Sequence, residues 1–193
     1  MIQITADTHF GHAKVAAARG FDSVAAHDRA VIRALAHSAD ATTETIIAGD
    51  FALGGWRDAL PLVEQIPGSK HLVLGNHDRA HPMMSNGHRY LRDFLAVFDT
   101  VTTSLRLRHD GRDVLVSHFP YDGDHVEGGD RATQWRLHDE GVILLHGHTH
   151  SADRVSLSRA GTTQIHVGLD AWGLRPVALG QALALSRPVS EWQ

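Results

Sequence analysis

The first half of the chain alternates short apolar runs with stretches of helical periodicity. Three apolar runs predict β-strands, at residues 2–6, 45–48 and 71–74. Between the first two runs, Ser23 can cap a helix whose apolar residues at positions 24, 31 and 35 share one face. A weaker helix is predicted within residues 57–66, where Pro61 must lie in the first turn or kink the helix. This β-α-β-α-β order predicts parallel strands.

The second half of the chain carries a different pattern. Residues 102–108 and 113–117 flank Asp110-Gly111, a strong hairpin signal, and a second hairpin is predicted at 155–167 around Ala160-Gly161. Further strands are predicted at 142–145 and within 177–185. Together the two halves predict an α/β (α+β) fold, with two packed mixed β-sheets forming a β-sandwich flanked by helices. The length of 193 residues predicts a single domain, residues 1–193.

Composition and charge exclude several classes of protein. The chain is 42% hydrophobic and 21% charged, as in ordinary globular proteins, which excludes disordered and fibrous classes. It has no cysteine, so disulfides and thiolate chemistry are excluded. Because the formal net charge is −4 and the arginines are scattered, we expect no strong bulk binding of nucleic acid. The sequence has no leader-like start and no apolar run near the ~18 residues of a membrane span, so we expect a cytoplasmic protein without membrane contact.

The sequence contains 16 histidines, and several belong to polar clusters that stand at or just after the ends of predicted strands. The clusters are Asp7-Thr8-His9, Gly49-Asp50, Gly75-Asn76-His77-Asp78, Ser117-His118 and His146-Gly147-His148-Thr149-His150. Ligand sites of open α/β sheets lie at the carboxyl ends of the strands, so these clusters can converge on one point. Carboxylate, amide and imidazole donors in this mixture suit divalent Mn, Fe, Co, Ni or Zn.

The spacing and the number of these donors indicate more than one metal ion. In an extended segment, residues i and i+2 point to the same side, so both side chains of an Asp-x-His or His-x-His unit can reach one ion or two adjacent ions. Seven or eight donors exceed what one tetrahedral ion uses. The set matches two ions about 3.5–4 Å apart that share a bridging carboxylate and hydroxide. Such a pair attracts phosphate and lowers the pKa of bound water.

The ordered series of five clusters resembles the calcineurin-like metallophosphoesterase superfamily. The matching blocks lie in the family's order and span residues 7 to 150. Further blocks, at residues 7–12, 49–51 and 168–172, resemble a group of small bacterial and phage members. The family fold is a β-sandwich flanked by helices, in agreement with the pattern of strands and helices above.

The resemblance implies a role for each matching residue. Asp7, His9 and His150 would hold one metal ion, Asn76, His118 and His148 the other, and Asp50 would bridge them. His77 would contact the scissile phosphate and stabilise or protonate the leaving oxygen, with Asp78 fixing its orientation. The nucleophile would be a metal-bridging hydroxide that attacks phosphorus in line. Of the possible divalent ions (Mn, Fe, Ni, Co or Zn), manganese is favoured for activity.

Departures from the family pattern narrow the substrate class. Protein-phosphatase-like members carry an Asp-Arg-Gly segment shortly after Gly-Asp, whereas residues 51–55 contain no arginine. Those members also have glutamate where Asp78 follows His77. We therefore expect small phosphodiesters, including cyclic nucleotides, as substrates. The alternatives are a phosphomonoesterase acting on nucleotides or phosphoproteins, and a non-catalytic scaffold of the same fold that binds protein partners. All seven metal-ligand positions carry the residue type of the family pattern, which disfavours the scaffold.

Other residues near these blocks are further candidates, and two of them have two interpretations each. His12 can contact a bound phosphate or cap the following helix, and His146 can be a metal ligand or support one. Candidates for substrate binding are Arg79 and, in the long segment 119–140, Tyr121 and Arg131; Asp122, Asp124 and His125 of that segment are candidates for shaping specificity. Asp170 and Trp172 are interpreted as parts of a structural turn. The sequence leaves the oligomeric state open.

Overall fold

Two five-stranded β-sheets form the framework of the protein, in a computed structural model that describes residues 1–124 and 129–186. In chain order the strands are β1 (Ile2–Thr5), β2 (Glu44–Ile47), β3 (Ser69–Val73), β4 (Thr100–Thr102), β5 (Ser104–His109), β6 (Arg112–Ser117), β7 (Ile143–His146), β8 (Val155–Leu157), β9 (Thr163–His166) and β10 (Val177–Ala178). The helices are α1 (Ala13–Ala18), α2 (Val24–His37), α3 (Trp56–Ala59), α4 (Leu91–Leu95) and α5 (Leu179–Ala184). Short 3-10 helices cover Leu60–Gln65, Gly87–Arg89, Thr133–Trp135 and Leu169–Trp172.

The first sheet has the order β10-β1-β2-β3-β4. Strands β1 to β4 are parallel to their neighbours, as the alternation of strands and helices predicts. Strand β10 closes the sheet antiparallel to β1. The helix predicted within 57–66 changes from α3 to a 3-10 helix at Leu60, next to Pro61, because proline has no N–H to continue the α-helical hydrogen bonds.

The second sheet has the order β5-β6-β7-β9-β8. Both predicted hairpins are present, β5–β6 and β8–β9, and their strands are antiparallel. Strand β7 lies between β6 and β9 and is parallel to both, so the sheet is mixed. The predicted two-sheet α/β fold is confirmed.

The prediction of a strand within 177–185 is wrong beyond Ala178. The segment turns into helix α5, and its buried residues are Leu179, Ala182 and Leu183. These residues are spaced three and four apart, which is the helical period. They pack into the core between the sheets, so helix formation buries them without an additional strand partner.

The first sheet buries both of its faces. One face packs against helices in a cluster that contains Leu35, Ile47 and Leu72. The opposite face packs against the second sheet through residues such as Ile46, Val73 and Val116. Adjacent residues of one strand therefore point into different core layers, which explains why the parallel strands are continuous apolar runs. No helix of the described ranges combines the length and the apolar character that crossing a membrane requires.

Candidate metal centre

The loops that follow the strands of both sheets meet at one rim of the sandwich. The backbone N–H of Asp7, after β1, donates to the carbonyl of Gly49, after β2, at 3.0 Å. The N–H of Gly147, after β7, donates to the carbonyl of His118, after β6, also at 3.0 Å. The side chain of Asp7 joins the two sheets, because its carboxylate accepts the backbone N–H of His148 at 3.1 Å. The clusters that are far apart in sequence therefore share one site.

Five residues of this rim adopt the left-handed backbone region, which side chains other than glycine rarely enter. They are Asp7, His9, Asp50, His148 and His150, with φ between 48° and 70°. Such strain costs of order 1–3 kcal/mol per residue and is concentrated at functional sites in proteins. Strain at these five residues therefore indicates that the rim is a functional site.

Two glycines of the rim leave room that a side chain would fill. A Cβ atom on Gly75 would collide with Oδ1 of Asp50. A Cβ atom on Gly147 would lie 2.8 Å from Oδ2 of Asp7. Glycine at both positions lets the backbone approach the two buried carboxylates, which is why each glycine directly precedes a predicted ligand residue.

The first group of donors consists of Asp7, His9 and His150, whose ligand atoms lie within 4.8 Å of one another. Nε2 of His9 and Nε2 of His150 face each other at 3.0 Å. Two imidazole nitrogens that bind one ion at 2.0–2.1 Å are about 3 Å apart, so this separation suits a shared metal ion. The structure brings together the three residues that the sequence predicts for one ion.

The second group consists of Asp7, Asp50 and His118, again within 4.8 Å. Oδ1 of Asn76 lies 3.0 Å from Nε2 of His118, which adds the predicted amide ligand. Oδ2 of Asp50 lies 3.4 Å from Nε2 of His118 and 3.8 Å from Nε2 of His9. Asp50 therefore stands between the two groups, at the place expected for a bridging ligand, and Asp7 belongs to both groups.

The charged groups of this centre shift one another's pKa values. Burial alone would raise the pKa of Asp50, but the positive charge of His118 and its hydrogen bond hold that pKa well below its usual range. Burial alone would lower the pKa of His118, but the charges of Asp50 and Asp7 raise it to about 9. Burial lowers the pKa of His9 to about 3, so this imidazole is neutral near pH 7. Two buried carboxylates and a neutral imidazole are ready to bind cations.

His148 lies beside these groups, with its ring centre 5.2 Å from that of His118. Its Nε2 is 3.2 Å from Oδ2 of Asp124, and the guanidinium of Arg131 contacts the same carboxylate and approaches Nε2 of His148 to 3.4 Å. Burial lowers the pKa of His148 to about 4. The contact with Asp124, from the long segment 119–140, was not predicted from the sequence.

His150 is supported by a pair of residues behind it. Nδ1 of His150 donates to Oδ2 of Asp170 at 2.8 Å, which leaves Nε2 directed at His9. Arg19 holds the Asp170 carboxylate with two hydrogen bonds of 2.9 Å, and also donates to the carbonyl of Asp7. Asp170 lies in the turn that the sequence predicts, and it also contacts His150. The resemblance of block 168–172 to small phage members is the sequence signal that pointed to this segment.

His77 lies at the mouth of the centre, where its side chain is 40% exposed and its Nε2 is 3.9 Å from Oδ2 of Asp50. Asp78, which is expected to fix the orientation of His77, makes its hydrogen bonds to the backbone of two neighbouring loops. Asp78 is buried, and its carboxylate accepts the backbone N–H groups of Phe51 at 2.9 Å and Gly75 at 2.7 Å. Asp78 therefore fixes the loop that carries His77 through the backbone, because its side chain is directed into that loop.

The predicted substrate residues occupy different places. The ring of His12 is 5.5 Å from that of His9, and its Nδ1 caps helix α1 by accepting the N–H of Val15. The interpretation of Tyr121 as a substrate-binding residue must be corrected, because its ring is buried and its hydroxyl donates to the carbonyl of Val142. The guanidinium of Arg79 lies over the ring of Tyr90, 4.9 Å from its centre. The candidate His125 lies outside the described residues.

His146 is not a member of either donor group. Its Nδ1 donates to the carbonyl of Gly147 at 2.9 Å, and its ring lies 5.5 Å from that of His166. His166 is not among the candidate residues that the sequence pattern indicates. The carboxylate and imidazole donors of the two groups, together with the amide of Asn76, form a mixture that fits divalent metal ions.

Comparisons with known proteins agree with this geometry. A family model described as calcineurin-like phosphoesterase matches residues 2–152. The Gene 66 protein of Mycobacterium phage D29 is 45% identical over 179 residues, which cover 89% of this chain and 88% of that protein. The Gene 66 protein of Mycobacterium phage L5 is 42% identical over 181 residues, covering 88% and 86%. Among solved structures, the protein of unknown function AQ665 from Aquifex aeolicus has a TM-score of 0.70 at 20% identity, covering 96% of this chain and 98% of that one.

The two packed sheets and the rim of candidate metal ligands are those expected of a metallophosphoesterase. With the family match over residues 2–152, the chain belongs to the calcineurin-like phosphoesterases. Membership in this superfamily makes it a phosphoester hydrolase by class and implies divalent metal ions as cofactors.

Proposed function

We propose that this protein hydrolyses small phosphodiesters, including cyclic nucleotides, at a centre for two divalent metal ions. The observation that carries the proposal is the position of Asp50 between two groups of donors, one with His9 and His150 and the other with His118. Asp7, His9 and His150 would hold one ion; Asn76, His118 and His148 would hold the other. When bound, two ions supply the positive charge that neutralises a phosphate and lower the pKa of bound water.

His77 is the proposed catalytic residue of the chain itself. The backbone N–H of His77 donates to Oδ1 of Asp50 at 2.8 Å, which fixes the residue beside the centre. Its half-exposed imidazole can contact the phosphate and give a proton from Nε2 to the leaving oxygen. Asp78 supports this placement by holding the loop through the backbone of Gly75 and Phe51.

The charge balance around the centre favours a diester over a monoester. A phosphodiester carries one negative charge, whereas a phosphomonoester carries up to two near neutral pH. Two arginines beside the proposed ligands face carboxylates: Arg131 contacts Asp124, and Arg19 contacts Asp170. Their charge is therefore compensated within the protein and contributes little to binding a second phosphate charge.

A phosphomonoesterase is the second candidate, and Arg131 is the observation that favours it. This side chain is 47% exposed and approaches Nε2 of His148 to 3.4 Å. A rotation away from Asp124 would turn the guanidinium into a bidentate clamp for a dianionic phosphate.

Hydrolysis of bis(p-nitrophenyl) phosphate and p-nitrophenyl phosphate by metal-stripped protein reloaded with Mn²⁺ separates these candidates. Faster cleavage of the diester supports the proposal, and the next substrates to test are cyclic nucleotides. Preference for the monoester, lost in Arg131→Ala but kept in the surface control Arg159→Ala, would establish the phosphomonoesterase. Metal uptake without hydrolysis of either ester would contradict the proposed cleavage of small phosphodiesters and favour the scaffold.

A further inference from the structure

Two buried histidines lie side by side on strands β7 and β9, next to the candidate centre. His146 and His166 are register partners on these parallel strands, and both are buried, with 3% and 2% of their surface exposed. Their ring centres are 5.5 Å apart. Nε2 of His146 and both ring nitrogens of His166 have no hydrogen-bond partner among the described residues. A buried imidazole without a partner costs stability, so a site that retains two of them requires an explanation.

Both histidines line a cavity of about 230 Å³, which is also lined by Asp124, the residue that contacts His148. Thr149 also lines the cavity, and its buried hydroxyl has no partner within the described ranges. The three carboxylate residues of the lining are Asp122, Asp124 and Asp153. Among the described lining residues none is lysine or arginine, so the chemistry of the cavity suits a cation.

The hydrogen bond of His146 leaves one of its ring nitrogens available to bind a metal ion. Its Nδ1–H donates to the carbonyl of Gly147, so the lone pair resides on Nε2, the nitrogen without a partner. A carbonyl that holds the far nitrogen of a histidine in this way is the usual support of a metal-binding imidazole. Nε2 of His166 lies 3.7 Å from Oδ2 of Asp7, toward the centre, which leaves Nδ1 as the nitrogen for an ion in the cavity.

The separation of the rings is compatible with one shared ion. An ion at 2.0–2.1 Å from a nitrogen is about 3.2 Å from the centre of that imidazole ring. Two ring centres 5.5 Å apart then subtend an angle of about 120° at the ion, near the angle of a distorted tetrahedral site. The remaining positions can be filled by Thr149 or water.

We infer that His146 and His166 bind a third divalent cation of the zinc type, separate from the two ions of the catalytic centre. Imidazole ligands favour Zn²⁺, Ni²⁺ and Cu²⁺ over Mg²⁺ and Ca²⁺. The cavity lies between segment 120–124 and residues 149–156, so the ion would fasten the segment that carries Asp124 onto the second sheet.

The test is the number of Zn²⁺ ions that the full-length protein retains after equilibrium dialysis, counted by elemental analysis. Wild-type protein is expected to retain three equivalents, and His146→Gln and His166→Asn two each. Asp50→Asn, which weakens the catalytic centre, is expected to keep the ion of the cavity. His81→Gln is the matched control, because His81 is buried but does not line the cavity, and it should retain three.

Three results of this ion count would overturn the inference. Wild-type protein could retain fewer than three equivalents, or the His146 and His166 variants could retain as many as wild type. Joint loss of all ions in those variants would instead show that the histidines only support Asp7. Anomalous scattering at the zinc edge, from crystals of wild-type protein soaked in Zn²⁺, gives a readout that does not depend on folding of a variant. A peak between the two imidazoles is expected, and its absence contradicts the site.

Discussion

Replacing Asp170 with asparagine tests how much of the metal affinity depends on residues that orient a ligand without binding the ion themselves. Asp170 accepts a hydrogen bond from Nδ1 of His150 and two from Arg19, whose side chain is only 4% exposed. Asparagine has nearly the same shape but no charge. The substitution leaves the buried guanidinium of Arg19 without its ion-pair partner and weakens the hold on the His150 ring.

The expected loss of metal affinity follows from this geometry. Removing a carboxylate that orients a metal-binding histidine typically weakens metal binding about 10–100-fold, equivalent to about 1.4–2.7 kcal/mol. The effect should concern the ion held by Asp7, His9 and His150, since the other group has no contact with Asp170 in the described residues. One ion is therefore expected to dissociate before the other.

Competition of the apo-protein with a calibrated chelator for Mn²⁺ measures both affinities, and thermal unfolding without metal measures stability. Asp93→Asn is the matched control, because Asp93 forms a surface ion pair with Arg57 away from the centre. The control should change neither affinity and should alter stability by less than about 1 kcal/mol. Unchanged affinities in Asp170→Asn, or an equal loss at both ions, would refute the argument that Asp170 acts through His150.

Three further changes test the centre. His77→Gln should keep both equivalents of Mn²⁺ while turnover falls about a hundredfold or more, and an equal loss of metal and activity would contradict its proton-donating role. Asp50→Ala should lose both ions by elemental analysis, because its carboxylate stands between the two donor groups; retention of two equivalents would disprove the bridge. Burial would lower the pKa of His118, but Asp50 and Asp7 raise it to about 9, above the ordinary value of 6.5. The charged form therefore stabilises the folded metal-free protein fully below pH 6.5, and this contribution is lost as the pH rises toward 9. Chemical denaturation across this range should show the decline in metal-free wild type and not in His118→Asn; an equal decline in both would exclude His118 as its source.

The order of ligand-bearing loops and the period of the apolar residues were determined by the sequence alone. Ile46 and Ile47 show why, since adjacent residues of β2 pack into different core layers and give a continuous apolar strand. Strands β1, β2, β3, β6 and β7 are each followed by a glycine-containing or polar cluster, and parallel strands carry these clusters to the same rim. Asp7, Asp50 and His118 are therefore predictable from local pattern, although they lie far apart along the chain.

Contacts across the rim were decided only by the tertiary structure. The proximity of Asp124 to His148 and of Asp170 to His150 depends on how long loops fold back, which has no periodic signal in the sequence. The pairing of His146 with His166 depends on the register of two parallel strands joined by an intervening hairpin strand. A shift of that register by one residue would turn one imidazole to the opposite face of the sheet. Local pattern places each side chain on a strand or loop, but packing of the two sheets decides which side chains meet.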